Sequence, residues 1–412
     1  MKDNMELTCP KCKHESIINS SFELKSFGCL NCNSLFTYSD SKLTFVKKYN
    51  YTPKDIVLEI GAKGIIEAET YEVVGLMVKM VHAIYYWREY TLLSNSGQIK
   101  YLSESDGHWI LLEEIPDSYD TSRKYKSLKH NGIQYSLYEH TDAFIAAVYG
   151  FYEFEILSKP IKVIEYINPP FVISIEKINK EENTFLGNHI SSSDIKKAFN
   201  LDKLPNKSGV GLVQPFLFNI YYTLMIFLSF ALLILATYII QNNGRTEQNV
   251  LYASLNFEDY KNKDYISPSF ELSGSPAPLK ILANSYVDNS WANLQVSLVN
   301  EITNDEVFAQ KDIEYYHGYT DGESWSEGST SKTFNFCGVS QGKYHLVITP
   351  SKQDSDLSNN MMKINVIWNE SSSWNFIWSL IVLGGIFGII VFLKKNFEQR
   401  RWENSDFTPY SD

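Results

Sequence analysis

The sequence predicts a mainly β chain: an N-terminal zinc ribbon, cytoplasmic small β-barrel or bent-sheet domains, two transmembrane helices and an extracytoplasmic antiparallel β-sandwich. Three observations carry this expectation. Residues 9–32, CPKCKHESIINSSFELKSFGCLNC, hold two Cys-x-x-Cys pairs. Residues 215–240 and 374–393 contain no charged side chain and are long enough to cross a hydrocarbon core of about 30 Å. Between and before them, runs of Ile, Val, Tyr and Trp are broken by Gly, Pro, Asn and Asp at strand-length intervals.

The first module, residues 1–48, is organised by Cys9, Cys12, Cys29 and Cys32. Four soft thiolates in two pairs, sixteen residues apart, can converge tetrahedrally on Zn²⁺ at about 2.3 Å. All four positions are then filled, so the expected metal is structural. A redox dithiol, paired disulfides and a metal-free knuckle are the competing readings. The residues after Cys12 and Cys32 suit tight turns. Residues 1–8 lack the apolar run of a signal peptide, so the amino terminus is expected in a reducing compartment. The formal net charge of −11, and the mixture of Lys11, Lys13 and Lys25 with Glu6, Glu15 and Glu23, argue against nucleic acid as a partner.

Two β-rich domains are expected next, at 49–119 and 120–200. Short hairpins fit the turns NSG and SDG, and both stretches pair Gly-centred turns with aromatic, Glu-containing strands, the texture of a duplication. In YYWREY, alternation sets Trp87 and Glu89 on one face and Arg88 and Tyr90 on the other. A buried aromatic ladder accounts for these and for Trp109; a ligand pocket using Glu89 or His108 is the sharper alternative. Asp106 belongs to the SDG turn, and His82, His130 and His140 lack a second ligand at metal spacing. Glu165, Glu176, Glu181 and Glu182 are expected in an exposed turn between strands rather than in carboxylate catalysis. ISSSDIKKAF, residues 190–199, carries a Ser cap and predicts a short helix.

A linker, 201–214, leads to the first span at 215–240. Lys196, Lys197, Lys203 and Lys207 precede that span, and Lys394, Lys395, Arg400 and Arg401 follow the second, at 374–393, in the tail 394–412. This places both termini in the cytoplasm and residues 241–373 outside. Residues 246–370 hold seventeen Asp or Glu against eight Lys, and their strand-length apolar runs predict a sandwich. Asp312, Glu314, Asp321, Glu323 and Glu327 lie around DGES, an incomplete match to a calcium loop. Tyr315, Tyr316, Tyr319 and Trp325 bias this region toward recognition of a partner or glycan. Gly384 and Gly388 have small-xxx-small spacing, a helix-contact face toward the first span or another subunit.

The double Cys-x-x-Cys, followed by IGAKGII, YEVVGLMVK, YYWREYTLLSNSGQIKYLSESDGHWILLEEI, YEFEIL, IEYINPPFVISIEK and ISSSDIKKAF, resembles a bacterial family known as domain of unknown function 4178, over roughly residues 5–200. The resemblance implies a zinc-ribbon-like start, β-rich domains and two late membrane segments in a bacterial inner membrane. It supplies no catalytic residue. No P-loop, dinucleotide fingerprint, Gly-x-Ser-x-Gly elbow or His-Glu-x-x-His helix is present. The expected role is a noncatalytic membrane-anchored adaptor between cytoplasmic and envelope-side proteins, as a partner complex or homo-oligomer. The alternatives are a membrane-anchored enzyme with a carboxylate/His pocket, and a subunit of an oligomeric channel or transporter.

Overall fold

The computed structural model describes residues 4–19, 23–54, 56–179 and 181–410. The chain divides into two compact units, residues 1–221 with 388–412, and residues 222–387.

The first unit opens on the antiparallel pair β1 (Asn4–Thr8) and β2 (Glu15–Asn19), then β3 (Ser26–Gly28), β4 (Ser34–Ser39) and β5 (Lys42–Lys48). Next come β6 (Lys63–Ile66), β7 (Glu69–Val81), β8 (Tyr85–Ser94), β9 (Ile99–Ser105) and β10 (His108–Ile115), an up-and-down meander. After the short β11 (Ser127–His130), a second meander runs through β12 (Ile133–Tyr152), β13 (Ile161–Asn168), β14 (Phe171–Ile178) and β15 (Glu181–Ile190). Leaving aside β6, which pairs only with β7, the first strands of the two meanders, β7 and β12, pair with each other, and so do the last, β10 and β15. An eight-stranded antiparallel barrel results, in the order β7-β8-β9-β10-β15-β14-β13-β12. The stretches expected as two domains thus form one closed body, because neither four-stranded sheet can satisfy its edges alone.

Strand β12 is long enough to serve three neighbours besides β11, which pairs with its start. It pairs β13 through residues 136–143, β7 through 144–150, and β3 through 150–152. Gly28 and Gly150 face each other at that junction: a Cβ on Gly28 would sit 2.5 Å from the Val148 carbonyl oxygen, and one on Gly150 2.2 Å from that of Val74. Only glycine lets the cysteine module approach the barrel wall this closely.

The barrel turns its apolar face outward. Tyr71, Val73, Tyr90, Leu92, Leu102 and Trp109 are buried outside the wall, beneath Ile195 of helix α1 (Ser192–Ala198), its C-cap Phe199 and the segment around Leu58. Tyr90 and Trp109 stack at 6.1 Å. The Ser191 side chain caps α1 by accepting from the Asp194 N–H, as the sequence predicts. Elsewhere the outer face is covered by Tyr119, Leu128 and Phe407 over Ile164, Tyr166, Ile173 and Ile175.

Helix α2 (Ile220–Asn242) begins five residues later than the charge-free run, and a later helix, Trp374–Arg401, continues past residue 393 through Lys394 and Lys395. Both are long and apolar enough to cross a membrane, and neither apolar stretch is covered by protein. Between them the second unit holds β16 (Gln248–Asn256), α3 (Phe257–Tyr260), β17 (Tyr265–Ile266), β18 (Phe270–Leu272), β19 (Ala277–Ser285), β20 (Ser290–Asn300), β21 (Glu306–Thr320), β22 (Glu323–Gly328), β23 (Ser331–Val339), β24 (Gly342–Lys352) and β25 (Met361–Trp368); Trp374–Arg401 is α4.

These strands form the expected β-sandwich. One sheet runs β16-β25-β19-β23; the other runs β17-β24-β20-β21-β22, with β18 also on β24. Alternate residues of β19 (Leu279, Ile281, Ala283) and β25 (Met362, Ile364, Val366) meet Leu294, Val296 and Leu298 of β20 in one apolar core. DGES is the β21–β22 hairpin: Asp321 and Gly322 take φ of 52° and 89°, as a two-residue type I′ turn requires. Among the described residues its acids do not converge as metal ligands. Within this unit Phe227 lies 5.5 Å from Phe387 and Tyr238 4.7 Å from Phe376. The faces of α2 and α4 that meet are therefore aromatic, and nothing lies within 4 Å of a Cβ built on Gly384 or Gly385.

Candidate functional site

The cysteine cluster is built from two matching knuckles. In the first, the Cys9 N–H donates to the His14 carbonyl and the Lys13 N–H to that of Cys9; in the second, Cys29 donates to Ser34 and Asn33 to Cys29. Lys13 and Asn33, the residues that follow the second cysteine of each pair, both adopt positive φ, 63° and 54°. Each turn therefore curls its two thiols to the same side. The four sulfurs lie within 4.8 Å of one another, with Cys9–Cys32 at 3.7 Å and Cys12–Cys29 at 3.6 Å. Tetrahedral Zn²⁺ with bonds of about 2.3 Å needs sulfurs roughly 3.8 Å apart, so the donor set fits that ion.

As free thiols Cys9, Cys12 and Cys29 would not ionise together. The His14 backbone N–H bond draws Cys12 down to about 6, whereas burial pushes Cys9 and Cys29 up. A divalent cation removes that conflict by stabilising all the thiolates. Cys9 and Cys29 are packed with Phe27, Phe36, Val74, Leu93 and Phe151, so metal geometry and the barrel wall share a core.

The second site is the lumen, a cavity of about 1890 Å³ lined by side chains of all eight barrel strands. Its charged centre is Lys79 on β7, only 2 % exposed. The Lys79 Nζ lies 2.6 Å from Glu176 Oε1 on β14 and 2.8 Å from Glu89 Oε2 on β8; Trp87 Nε1 donates to Glu89 Oε1 at 2.7 Å. Burial alone would lower the lysine, but the two carboxylates more than reverse this and hold the ammonium protonated. Trp87 and Glu89 do share a face, as alternation predicts. That face is the wet interior rather than an aromatic core, while Arg88 points the other way to Glu104 at 2.6 Å.

Glu165 and Glu176 are not in a turn. They sit mid-strand on β13 and β14 and line the lumen, where β12–β13 register sets Glu139 directly opposite Glu165. Burial, then repulsion from Glu139, Glu176 and Glu89, pushes Glu165 up to about 8. Glu181 and Glu182 do flank the β14–β15 turn, Glu182 paired with Lys177 at 2.5 Å. Of the histidines, His108 lines one end of the cavity and holds Nε2 3.1 Å from the Ser208 carbonyl; burial pushes its pKa down. His140 lines the cavity too, while His130 is tied to the Tyr119 hydroxyl at 2.7 Å.

One end of the lumen is closed by the segments adjoining the apolar helices. Val213 and Trp402 pack on Ile167 and Val172. Arg401, expected as a cytoplasmic flanking charge, is 2 % exposed: Nη1 donates to the carbonyls of Gly211 and Leu212 at 2.8 Å, Nη2 to that of Gln214 at 2.6 Å, and Nε to Glu398 at 2.9 Å. The lumen-lining Tyr138 then donates its hydroxyl to the Arg401 carbonyl at 2.9 Å. The expected linker 201–214 is therefore a docked strap, and sequence offered no signal for it beyond an arginine in a basic run.

Replacing Lys79 with Met leaves Glu89 and Glu176 facing each other without their shared cation. We expect a loss of about 3 kcal/mol at pH 8, the usual cost of breaking a buried charge pair. It shrinks at pH 5 as Glu176 takes up a proton, and urea unfolding at both pH values measures it.

Residues 59–192 match the family model described as Domain of unknown function (DUF4178). The match begins after the cysteine cluster and covers the barrel. No curated protein matches the chain. Among solved structures, the insecticidal delta-endotoxin Cry8Ea1 of Bacillus thuringiensis is 10% identical over 74% of this chain, with a TM-score of 0.16; the chain spans 54% of its length. PNGF-II is 10% identical over 74% of this chain and 68% of its own, with a TM-score of 0.19. The infectious bursal disease virus Gt strain structure is 8% identical over 89% of this chain and 70% of its own, at 0.18. Scores this low carry no argument about fold or function.

Proposed function

Because residues 59–192 are a DUF4178 domain, folded here around an open, charged lumen, we propose that the chain is a noncatalytic, membrane-tethered receptor for a small polar molecule. The supporting observation is the lumen itself: a cavity of about 1890 Å³ lined by ion-paired and unpaired polar groups, where a barrel made only for stability would be filled with apolar side chains. The two apolar helices act as the tether in a bacterial inner membrane, with both termini cytoplasmic and residues 241–373 outside. Lys196, Lys197, Lys203 and Lys207 before the first helix, and Lys394 and Lys395 within the second, favour that orientation. The strap and tail that close the lumen also adjoin the helix ends, so occupancy has a physical route to the membrane segments. The adaptor role becomes ligand-dependent: protein partners on either side would respond to the filled barrel.

Glu165, held near 8 beside Glu139, favours a second reading, an enzyme that uses a carboxylic acid as general acid. The experiment separates them. Full-length protein purified in mild detergent is denatured and its small-molecule content identified by mass spectrometry. The receptor reading expects a stoichiometric compound that rebinds unchanged and raises the melting temperature; turnover of that compound favours the enzyme. A preparation that carries nothing, and whose melting temperature no charged or neutral fragment raises, overturns both.

A further inference from the structure

Taking the ligand-binding reading of the barrel as its basis, we infer that the lumen binds a small organic ammonium ion, seated against Glu139 and Glu165. The charge balance inside the wall points to a cation. Lys79 is the one cation bonded to the central carboxylates among the described residues, and both of its strong contacts, to Glu176 and Glu89, are already made. Glu139 and Glu165 are left directly opposed, so the two can both ionise at low cost only with a cation between them. Glu139 accepts only the His140 N–H at 3.0 Å, and Glu165 has no hydrogen bond or ion pair among the described residues.

A second observation is independent of charge. Ser174, opposite Glu165 in the β13–β14 register, and Thr91 on β8 are each only 5 % exposed and line the cavity. Neither side chain has a hydrogen-bond partner among the described residues. Their oxygens are open to the lumen, so both can accept from a bound donor without giving up an internal partner.

An anion is disfavoured because Asp and Glu side chains outnumber the cations of the lining: Lys79 is neutralised twice, and Lys25, Lys124 and Lys162 are the other lysines that line the cavity. A metal ion is disfavoured because, among the described residues, only the four cysteines bring three donor atoms within 4.8 Å of one another. An organic cation suits the walls: Trp87, Tyr101 and Phe185 line the same cavity, with Tyr101 and Phe185 edge to face at 5.4 Å. Aromatic faces and carboxylates together are the usual environment of an ammonium group.

The groups facing Glu165 are Tyr138 and Glu139 on β12, Glu176 on β14, Glu89 on β8 and Lys79 on β7, while Glu139 itself faces Asp406, His82 and Lys124. Their balance keeps Glu165 protonated at pH 7, and an arriving ammonium ion displaces that proton. Affinity therefore rises from pH 6 to pH 8, and binding at pH 7 releases close to one proton.

Three size-matched probes test this: benzylammonium, benzyl alcohol and benzoate, each titrated calorimetrically into the full-length protein in detergent, in buffers of different ionisation enthalpy. The expected result is that benzylammonium binds at least tenfold more tightly than the other two and releases a proton. Glu165→Gln should weaken it at least tenfold and abolish proton release, and Ser174→Phe should block the lumen. If benzyl alcohol or benzoate binds as well or better, the cation inference falls while the ligand-binding reading stands. If none of the three binds, and no compound accompanies the purified protein, both fall.

Discussion

Cys29→Ser should strip the protein of stoichiometric zinc and unfold the amino-terminal module. Cys29 is completely buried, its sulfur lies 3.6 Å from that of Cys12, and its backbone N–H anchors the second knuckle. A serine hydroxyl is a poor zinc ligand and leaves a buried polar atom where a thiolate stood. Metal binding to such sites contributes roughly 10–16 kcal/mol to folding, more than a small module retains without it. The damage should reach the barrel edge, because Phe27 and Cys29 are packed with Val74, Leu93 and Phe151. Elemental analysis gives the metal content, and thiol titration gives the structure. The native protein should expose one reactive thiol, Cys337, the exposed cysteine of the five, and a chelator should release the other four. Native protein with five reactive thiols and no zinc would refute the site.

Arg401→Ala should cost about 3–5 kcal/mol, although the residue lies in what the sequence presents as a charged tail. Its guanidinium satisfies three carbonyls of the strap and the Glu398 carboxylate, all in a pocket that admits almost no water. Truncation leaves these acceptors unpaired and removes the contact with the Phe397 ring, 5.2 Å away. Arg401→Lys should recover less than half of the loss, since one ammonium cannot match a fork that reaches four acceptors. Hydrogen exchange over residues 208–216 should accelerate in both variants, because the strap is held chiefly through those carbonyls. An unchanged unfolding midpoint, with exchange unaltered, would show that the clamp contributes nothing.

How much of this was legible in the chain depends on the range of the interaction concerned. Local conformational demands were written in short words: the positive φ at Lys13 and Asn33 after each cysteine pair, the hairpin at Asp106–Gly107, the cap at Ser191. Alternation was equally readable, in the sandwich strands and in the separation of Trp87 and Glu89 from Arg88 and Tyr90. Even the suspected duplication has a counterpart, in two meanders that pair first strand with first and last with last.

Periodicity says which residues share a face but not what covers that face. In this barrel α1 and the loops cover the outer side, so Tyr90 and Trp109 became core and Trp87 and Glu89 became lumen. Lys79 meets Glu176 across 97 residues of sequence, and Arg401 meets Gly211 across 190. Sequence by itself determined the thiol donor set, the strands and their two-sidedness, and the two apolar helices. Only tertiary structure decided that the two meanders share one barrel, that glutamates expected in a turn face its interior, and that a tail arginine locks its end. The physical reason is that strand closure and charge pairing are settled by which distant groups exclude water together, and no local pattern encodes that choice.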